Sequence, residues 1–231
     1  MQFISCHDGR IFKTASQWAG PQKKGFQTGL SALDDLLTGR GIARGAVHEV
    51  LSLPNHGVPR FFALLLAKAA SGVIVWCDPR QTLYPPAIAV AGVPMEKLFL
   101  LHPTTQADQS WAIAECMQCK GVAATIAQVG KLSRIETRRY QLATEKGGGI
   151  GILLRTLDRH AQLYSAATRW LVAPHPGSRT VQRWTIQLLH AHGGQIGKTV
   201  ILEHHRETNT LRAIEQLVDR SSESETLRIS A

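Results

Sequence analysis

The chain has 231 residues, of which 44% are hydrophobic, so it is long enough to bury one sizeable core, alone or with short appendages. Its 26 Lys and Arg residues exceed its 17 Asp and Glu residues, which gives a formal net charge of +9. This excess favours a polyanion or an acidic protein surface as a partner, although a basic soluble protein without such a partner has the same composition. The longest apolar runs, such as residues 61–67, are far too short to span a bilayer.

The cysteines and the amino terminus favour a reducing, cytoplasmic setting. Cys6, Cys77, Cys116 and Cys119 are scattered, and two of them fall inside predicted core elements, which does not suit a disulfide framework. Residues 1–10 lack the apolar region of a signal peptide. We therefore expect a cytoplasmic protein with no membrane segment.

Changes in composition divide the chain into three predicted parts. Residues 1–24 form an arm, because glycine, proline and lysine residues at 20–25 separate them from a core over residues 25–205. Residues 206–231 form a tail, in which Leu211, Ile214, Leu217 and Val218 have helical spacing and predict a short helix. Residues 221–231 have the composition of a disordered segment.

Apolar strands alternate with helices through the first part of the core. Strands are predicted at residues 45–51, 73–77, 97–101, 122–129 and 150–155. Helices are predicted at residues 31–37, 60–70, 85–91, 107–119 and 133–146. This alternation predicts an α/β fold with a mostly parallel sheet and helices on both faces.

The pattern changes in the last third of the core. Residues 168–173 have the composition of a strand, and residues 183–190 alternate, with Trp184, Ile186 and Leu188 on one face. A glycine turn at 193–194 leads to a strand at 199–203, which predicts an antiparallel hairpin that extends the sheet. Residues 197–199 (GKT) resemble the end of a phosphate-binding motif, but the first glycine is missing and residue 199 opens a strand, so we interpret them as part of the hairpin turn.

The most informative stretch joins the first core strand to the helix at residues 60–70. A P-loop, G-x-x-x-x-G-K-[ST], occupies this place in phosphate-binding α/β proteins, where its lysine reaches the phosphates and its hydroxyl holds Mg²⁺. Over residues 52–59 the length fits and Gly57 is retained, but Ser52 replaces the first glycine, Val58 the lysine and Pro59 the hydroxyl residue. Pro59 also removes a backbone N–H. These changes predict a degenerate loop that binds neither nucleotide nor another cofactor.

The residues around this loop resemble the RecA ATPase core. Residues 28–34 (TGLSALD) and 44–50 (RGAVHEV) are similar to the entry into that core, and residues 75–78 (VWCD) to its next strand. By this resemblance, Arg80 takes the position of the catalytic Glu and Gln128 that of the Asp on the Mg²⁺ side. The resemblance implies a RecA-like, P-loop-type fold without ATPase chemistry, so we assign no catalytic residue and no metal ligand.

Among RecA-like proteins without these groups, the chain is similar to the ImuA family of SOS mutagenesis accessory proteins. The similarity runs from about residue 25 to about residue 203 and includes GFQTGL at 25–30, RYQLATEKGG at 139–148 and WTIQLL at 184–189. It implies a non-catalytic protein of translesion DNA synthesis that scaffolds an ImuB-like polymerase homologue and an error-prone DnaE-type polymerase. RecA itself is a further candidate partner.

Two other functions remain open from the sequence. A SulA-like SOS inhibitor, which binds the tubulin-like division protein, is also RecA-like with reduced chemistry. A residual ATPase or DNA-dependent enzyme would have to bind ATP without the P-loop lysine. Overexpression of a division inhibitor would make cells filament, whereas a mutagenesis factor would change the mutation frequency after DNA damage.

Two sets of residues are candidates for partner contacts. Arg134, Arg138 and Arg139 lie on the helix at 133–146 and suit DNA or an acidic protein, although a solvated helix face has the same pattern. By resemblance to the ImuA family, the apolar stripe of the tail is a docking element for the ImuB-like partner, and the alternative is that it packs back on the domain. The stripe consists of Leu211, Ile214, Leu217 and Val218, and the first three are the candidate docking residues.

Overall fold

In a computed structural model of the chain, the described residues are 25–158, 166–191 and 193–214, together with two short strands near the amino terminus. These two strands, β1 (Ile4–Ser5) and β2 (Ile11–Phe12), form a separate antiparallel pair. The other strands of the described residues form one nine-stranded sheet. The rest of the predicted arm and the predicted disordered segment at 221–231 lie outside the described residues.

The nine-stranded sheet has a parallel half and an antiparallel half. The strands of the parallel half are β3 (Ala46–Ser52), β4 (Val73–Cys77), β5 (Leu98–Leu101), β6 (Val122–Gln128) and β7 (Ile150–Thr156). They are followed by β8 (Thr168–His175), β9 (Val181–Ala191), β10 (Thr199–His205) and β11 (Thr210–Ile214). The order across the sheet is β11-β10-β9-β8-β3-β7-β6-β4-β5, so β3 lies in the centre, with β7 and β8 as parallel neighbours.

Five α-helices connect or flank the strands. They are α1 (Ser31–Leu36), α2 (Arg60–Ala69), α3 (Pro85–Val90), α4 (Gln106–Gln118) and α5 (Arg134–Gly147). Successive strand residues point to opposite faces, so β3 contributes Val50 to one hydrophobic cluster with α1, α2 and α3, and Val47 to a second cluster with α4 and α5. The predicted α/β fold, with a mostly parallel sheet and a C-terminal antiparallel hairpin, is confirmed.

The longest helix, α5, has clear sequence signals at both of its ends. Ser133 is the N-cap residue, and its hydroxyl accepts a hydrogen bond from the Glu136 N–H while the Glu136 carboxylate accepts one from the Ser133 N–H. This capping box satisfies two backbone donors. Gly148 ends the helix with a φ of 79°, which favours glycine. None of the helices in the described segments is long and apolar enough to cross a bilayer.

The predicted helix in the tail is wrong, because residues 210–214 form strand β11. Leu211 and Ala213 pack against the main core, whereas Arg212 and Ile214 are exposed, which is the two-residue period of a strand. The whole of β11 pairs antiparallel with β10. A short apolar run fits either period in the sequence, and here pairing with a neighbouring strand decides the structure. Residues 215–231 lie outside the described residues.

A buried ion network fixes the central strand. Glu49 on β3 accepts hydrogen bonds from Arg155 on β7 at 2.6 Å and from Arg169 on β8 at 2.7 Å. All three side chains are at least nine-tenths buried. Arg155 also donates from Nε to the carbonyl oxygen of Gly130 at 3.2 Å. One carboxylate therefore links three adjacent strands at the boundary between the two halves of the sheet.

We expect the substitution Glu49→Leu to lower the free energy of unfolding by about 3–5 kcal/mol, because it leaves two buried guanidinium groups without their carboxylate. The measurement is urea denaturation followed by circular dichroism. The matched control is Glu207→Leu in an exposed turn, for which we expect a change below about 0.5 kcal/mol. Equal stability of the two variants would show that the network does not hold the strands.

His48, on the other face of β3, is a fully buried neutral histidine. Its Nε2 donates to the carbonyl oxygen of Ala43 at 2.9 Å, so its Nδ1 is the acceptor for the Thr168 hydroxyl at 2.8 Å. Trp170 Nε1 in turn donates to the Thr168 hydroxyl oxygen at 2.7 Å. Burial lowers the pKa of His48 from 6.5 to about 4, and the hydrogen bond to Ala43 opposes this shift only in part.

This pKa makes stability depend on pH in a defined window. Between pH 6.5 and pH 4 the unfolded chain binds a proton at His48 that the folded chain does not, so the stabilisation is present above pH 6.5 and is lost as the pH falls. From pH 7 to pH 5, we expect wild type to lose about 2 kcal/mol more unfolding free energy than His48→Gln, which does not titrate. If the unfolding free energies of wild type and His48→Gln, measured by urea denaturation, fall equally between pH 7 and pH 5, the lowered pKa of His48 is wrong.

Candidate functional site

The carboxyl ends of β3, β7, β6 and β4 meet at one edge of the sheet, which is where ligands bind in α/β proteins. A cleft of about 440 Å³ opens there. Val58 from the loop after β3, Arg80 from the segment after β4, and Gln128 at the end of β6 all line this cleft. The structure therefore brings together the three positions that replace the lysine, the catalytic Glu and the Mg²⁺-side Asp in the resemblance to RecA.

The loop between β3 and α2 uses the lysine position for packing. Ser52 and Pro59 at its two ends are buried, and residues 54–57 between them are exposed. Val58 is partly buried and packs against the main core. An apolar side chain anchored in the core therefore stands where a P-loop needs an ammonium group that reaches phosphate.

The start of α2 has lost several of the backbone donors that bind phosphate in a P-loop. The first N–H groups of a helix have no partner within the helix and are free to bind an anion. Pro59, the N-cap residue, has no N–H, and the Arg60 N–H donates to the Val58 carbonyl oxygen at 2.8 Å. The Phe62 N–H donates to the Pro59 carbonyl oxygen at 3.2 Å. The N–H groups of Arg60 and Phe62 therefore already have acceptors within the chain.

Asp78, which the resemblance to RecA retains, organises the loop that follows β4. Its Oδ1 accepts from the Thr82 hydroxyl at 3.2 Å, and its Oδ2 accepts from the Leu83 N–H at 2.8 Å. Thr82 Oγ1 also accepts from Arg60 Nη2 at 2.6 Å, which ties this loop to the start of α2. His102 Nδ1 donates to the Asp78 carbonyl oxygen at 2.8 Å. The Asp78 carboxylate therefore holds the loop after β4, and Thr82 joins that loop to the start of α2.

The charged groups of the cleft are mostly cationic. The cleft is lined by four cations and two carboxylates: Arg60, Arg80, Lys131, Arg155, Asp78 and Asp158. By the resemblance to RecA, Arg80 places a guanidinium group, which offers donors and no acceptor, at the position of the catalytic Glu, and Gln128 places a neutral amide at that of the Mg²⁺-side Asp. Among the described residues, no group of three or more His, Cys, Asp or Glu side chains is placed to hold a metal ion.

A second, larger groove of about 1030 Å³ lies between α2, α3 and the strands β8 to β11. Phe61 and Trp184 stack at its base with a ring-centroid distance of 3.7 Å, and Tyr84 at its rim is 69% exposed. Two of its cations are engaged: Lys68 donates to the Ala91 carbonyl oxygen at 2.6 Å, and Arg183 binds Glu203 at 2.6 Å. The sequence did not predict this groove, because its walls come from segments that are far apart in the chain. For Trp184, the alternating pattern of residues 183–190 predicted only its place on one face of a strand.

The predicted partner residues lie away from the cleft. Arg134, Arg138 and Arg139 are exposed on α5 and line a different groove, against α4. Leu211 packs on the main core and lines the larger groove, whereas Ile214, the last residue of β11, is 40% exposed. Leu217 lies outside the described residues.

The chain has a RecA/RadB-like α/β fold. The crystal structure of the RadB recombinase superposes on it with a TM-score of 0.66 and 14% sequence identity, covering 82% of this chain and 100% of that chain. No family model matches the sequence. The chain is similar to Protein ImuA of Caulobacter vibrioides, strains NA1000 / CB15N and ATCC 19089 / CIP 103742 / CB 15. Each is 25% identical over 217 residues, which cover 83% of this chain and 89% of the relative. The resemblance to the ImuA family is thereby confirmed.

We expect Asp78→Ala to lower the free energy of unfolding by about 1–3 kcal/mol, because the substitution removes the acceptor of two buried hydrogen bonds. Urea denaturation measures this loss, and Asp35→Ala on the exposed side of α1 is the matched control. Millimolar Mg²⁺ should leave the melting temperature of wild type and variant unchanged. Stabilisation of wild type alone by Mg²⁺ would instead identify Asp78 as a metal ligand.

Proposed function

We propose that this chain is a non-catalytic RecA-like accessory protein of SOS mutagenesis that serves translesion DNA synthesis by holding other proteins. The observation that carries the proposal is the cleft at the carboxyl edge of the sheet. Val58, Arg80 and Gln128 converge there in place of the cation, the base and the metal ligand of an ATPase. The similarity to Protein ImuA over most of the chain supports the assignment to a mutagenesis system.

The proposed partners are an ImuB-like polymerase homologue and an error-prone DnaE-type polymerase, with RecA and DNA as further candidates. A RecA-like ATPase changes its surfaces when nucleotide binds and is hydrolysed. In a P-loop protein, the start of this helix would contact the phosphates. In this chain, the Arg60 N–H donates to the Val58 carbonyl oxygen of the preceding loop, and the Arg60 side chain donates to Thr82. The proposed scaffold therefore presents its partner surfaces in one fixed state.

The proposal is tested in cells by a substitution of Gly57, the one glycine of the P-loop pattern that residues 52–59 retain. A Cβ atom at Gly57 would meet no atom within 4 Å, so Gly57→Ala leaves the fold intact, whereas in a working P-loop it would obstruct the approach of phosphate. We expect deletion of the gene to lower the mutation frequency after DNA damage, and wild type and Gly57→Ala to restore it equally.

Two results would contradict the proposal. Failure of Gly57→Ala to restore the mutation frequency at normal protein levels would show that the loop binds a ligand. Filamentation on overexpression, with no effect of the deletion on mutation frequency, would favour a SulA-like division inhibitor. Neither result depends on the identity of the polymerase partner.

A separate experiment tests the tail as the docking element for the ImuB-like partner. The double substitution Ile214→Asp with Leu217→Asp places two charges in the predicted stripe, and we expect it to abolish capture of the partner in a pull-down while the circular dichroism spectrum is unchanged. Ile196→Asp, at an exposed position in the β9–β10 turn, is the control. If the double variant folds and still captures the partner, the tail does not dock it.

A further inference from the structure

The outer surfaces of α4 and α5 form an apolar groove that no described residue covers. The groove has a volume of about 620 Å³. Ile135 and Leu142, both on α5, line it and are 82% and 47% exposed. Seven residues separate them, which is two helical turns or about 10 Å along one face of α5. Trp111, which is 59% exposed, lies on α4 one turn before Glu115 in the groove wall.

These apolar side chains are not required to hold the two helices on the sheet. The inner side of α5 is formed by Thr137, Tyr140 and Thr144, which are buried, and Tyr140 donates to the Ser110 hydroxyl of α4 at 3.1 Å. Ile135 and Leu142 point away from this contact. A contiguous apolar patch that the core does not use is typical of an interaction site.

The rim of the groove is strongly cationic. Arg134, Arg138, Arg139 and Lys146 line it, and Glu115 is its one carboxylate. Lys146 donates to the neutral Gln118 amide at 3.1 Å. Arg138 and Arg139 form no ion pair with any described residue. Their charges are therefore available to an acidic partner.

We propose that this surface, the α4–α5 face, binds an acidic amphipathic helix of another protein. A groove between two packed helices receives the side-chain ridge of a third, so apolar residues at i, i+3 or i+4, and i+7 of the partner would cover Ile135 and Leu142. Asp and Glu residues beside that stripe would pair with Arg138 and Arg139. The complementary charges set the orientation and speed association.

Two other occupants fit the groove less well. Nucleic acid would pair with the arginines but would leave Ile135 and Leu142 against phosphates, and aliphatic side chains offer no platform for stacked bases. A second copy of the chain docked through the same face would bring the two sets of arginines together, which disfavours self-association.

The test selects partners without assuming their identity. A phage-displayed library of random amphipathic helices is panned against the purified full chain, and the enriched peptides are measured by fluorescence anisotropy. We expect the enriched peptides to carry acidic residues beside an i, i+3 or i+4, i+7 apolar stripe. We expect Arg138→Glu with Arg139→Glu, and separately Ile135→Ala with Leu142→Ala, to weaken binding at least about tenfold.

The charge control is Arg179→Glu with Lys198→Glu, a matched reversal at exposed positions outside the groove, which should bind like wild type. The proposal is overturned if the enriched peptides lack this pattern or bind the face variants as tightly as the control. A photo-crosslinker at position 142 of the full chain provides a second readout. Crosslinks to residues 215–231 of the same chain or to a second copy would also overturn it, as would tighter binding of single-stranded DNA than of any peptide at this face.

Failure of this test and failure of the proposed function are separate results. The α4–α5 face does not include the loop at residues 52–59, so complementation by Gly57→Ala reports on the accessory role without reference to the groove. The face variants in turn report on the groove whatever the cellular role.

Discussion

The structure depends on the contact of one carboxylate with two guanidinium groups in the centre of the sheet. Glu49 lies on β3, and its partners Arg155 and Arg169 lie on the two strands that flank it. Such a buried network adds little net stability over an apolar packing of the same shape, but each member becomes indispensable once the others are buried. It therefore fixes the position of β3 where the parallel half of the sheet meets the antiparallel half.

The loop at residues 52–59 starts at the carboxyl end of this strand, and its contacts follow from that position. Val58 turns into the main core, Pro59 begins α2, and Arg60 reaches Thr82, which Asp78 holds in turn. In a P-loop, the groups at these positions contact a nucleotide, whereas in this chain they contact other residues of the chain. These contacts hold the start of α2 and the loop after β4 together.

Much of the fold was predictable because the parallel half of the sheet has clear local sequence signals. Buried parallel strands are continuous apolar runs between helices with clear ends, such as the capping box of Ser133 and Glu136. The tail was not predictable, because Leu211 and Ile214 fit either period and only pairing with β10 decides between them.

Some features of the candidate sites could be located from the sequence, and others could not. The replaced positions Val58, Arg80 and Gln128 could be located from the resemblance to RecA, and the structure brings them into one cleft. The apolar groove beside Ile135 could not, because exposure of an aliphatic residue on an amphipathic helix depends on how the neighbouring helix packs. The stacking of Phe61 on Trp184 joins residues far apart in the chain and left no local signal.

We propose that the cleft at the carboxyl edge of the sheet binds no nucleotide, and the most direct test is calorimetric titration of the purified protein with ATP and Mg²⁺. A parallel thermal-shift series reports any stabilisation of the folded state. We expect neither binding heat nor a rise in melting temperature up to millimolar nucleotide. Saturable binding that raises the melting temperature and is lost in Arg60→Ala or Arg80→Ala would contradict the proposal, because one of these arginines would then replace the missing lysine.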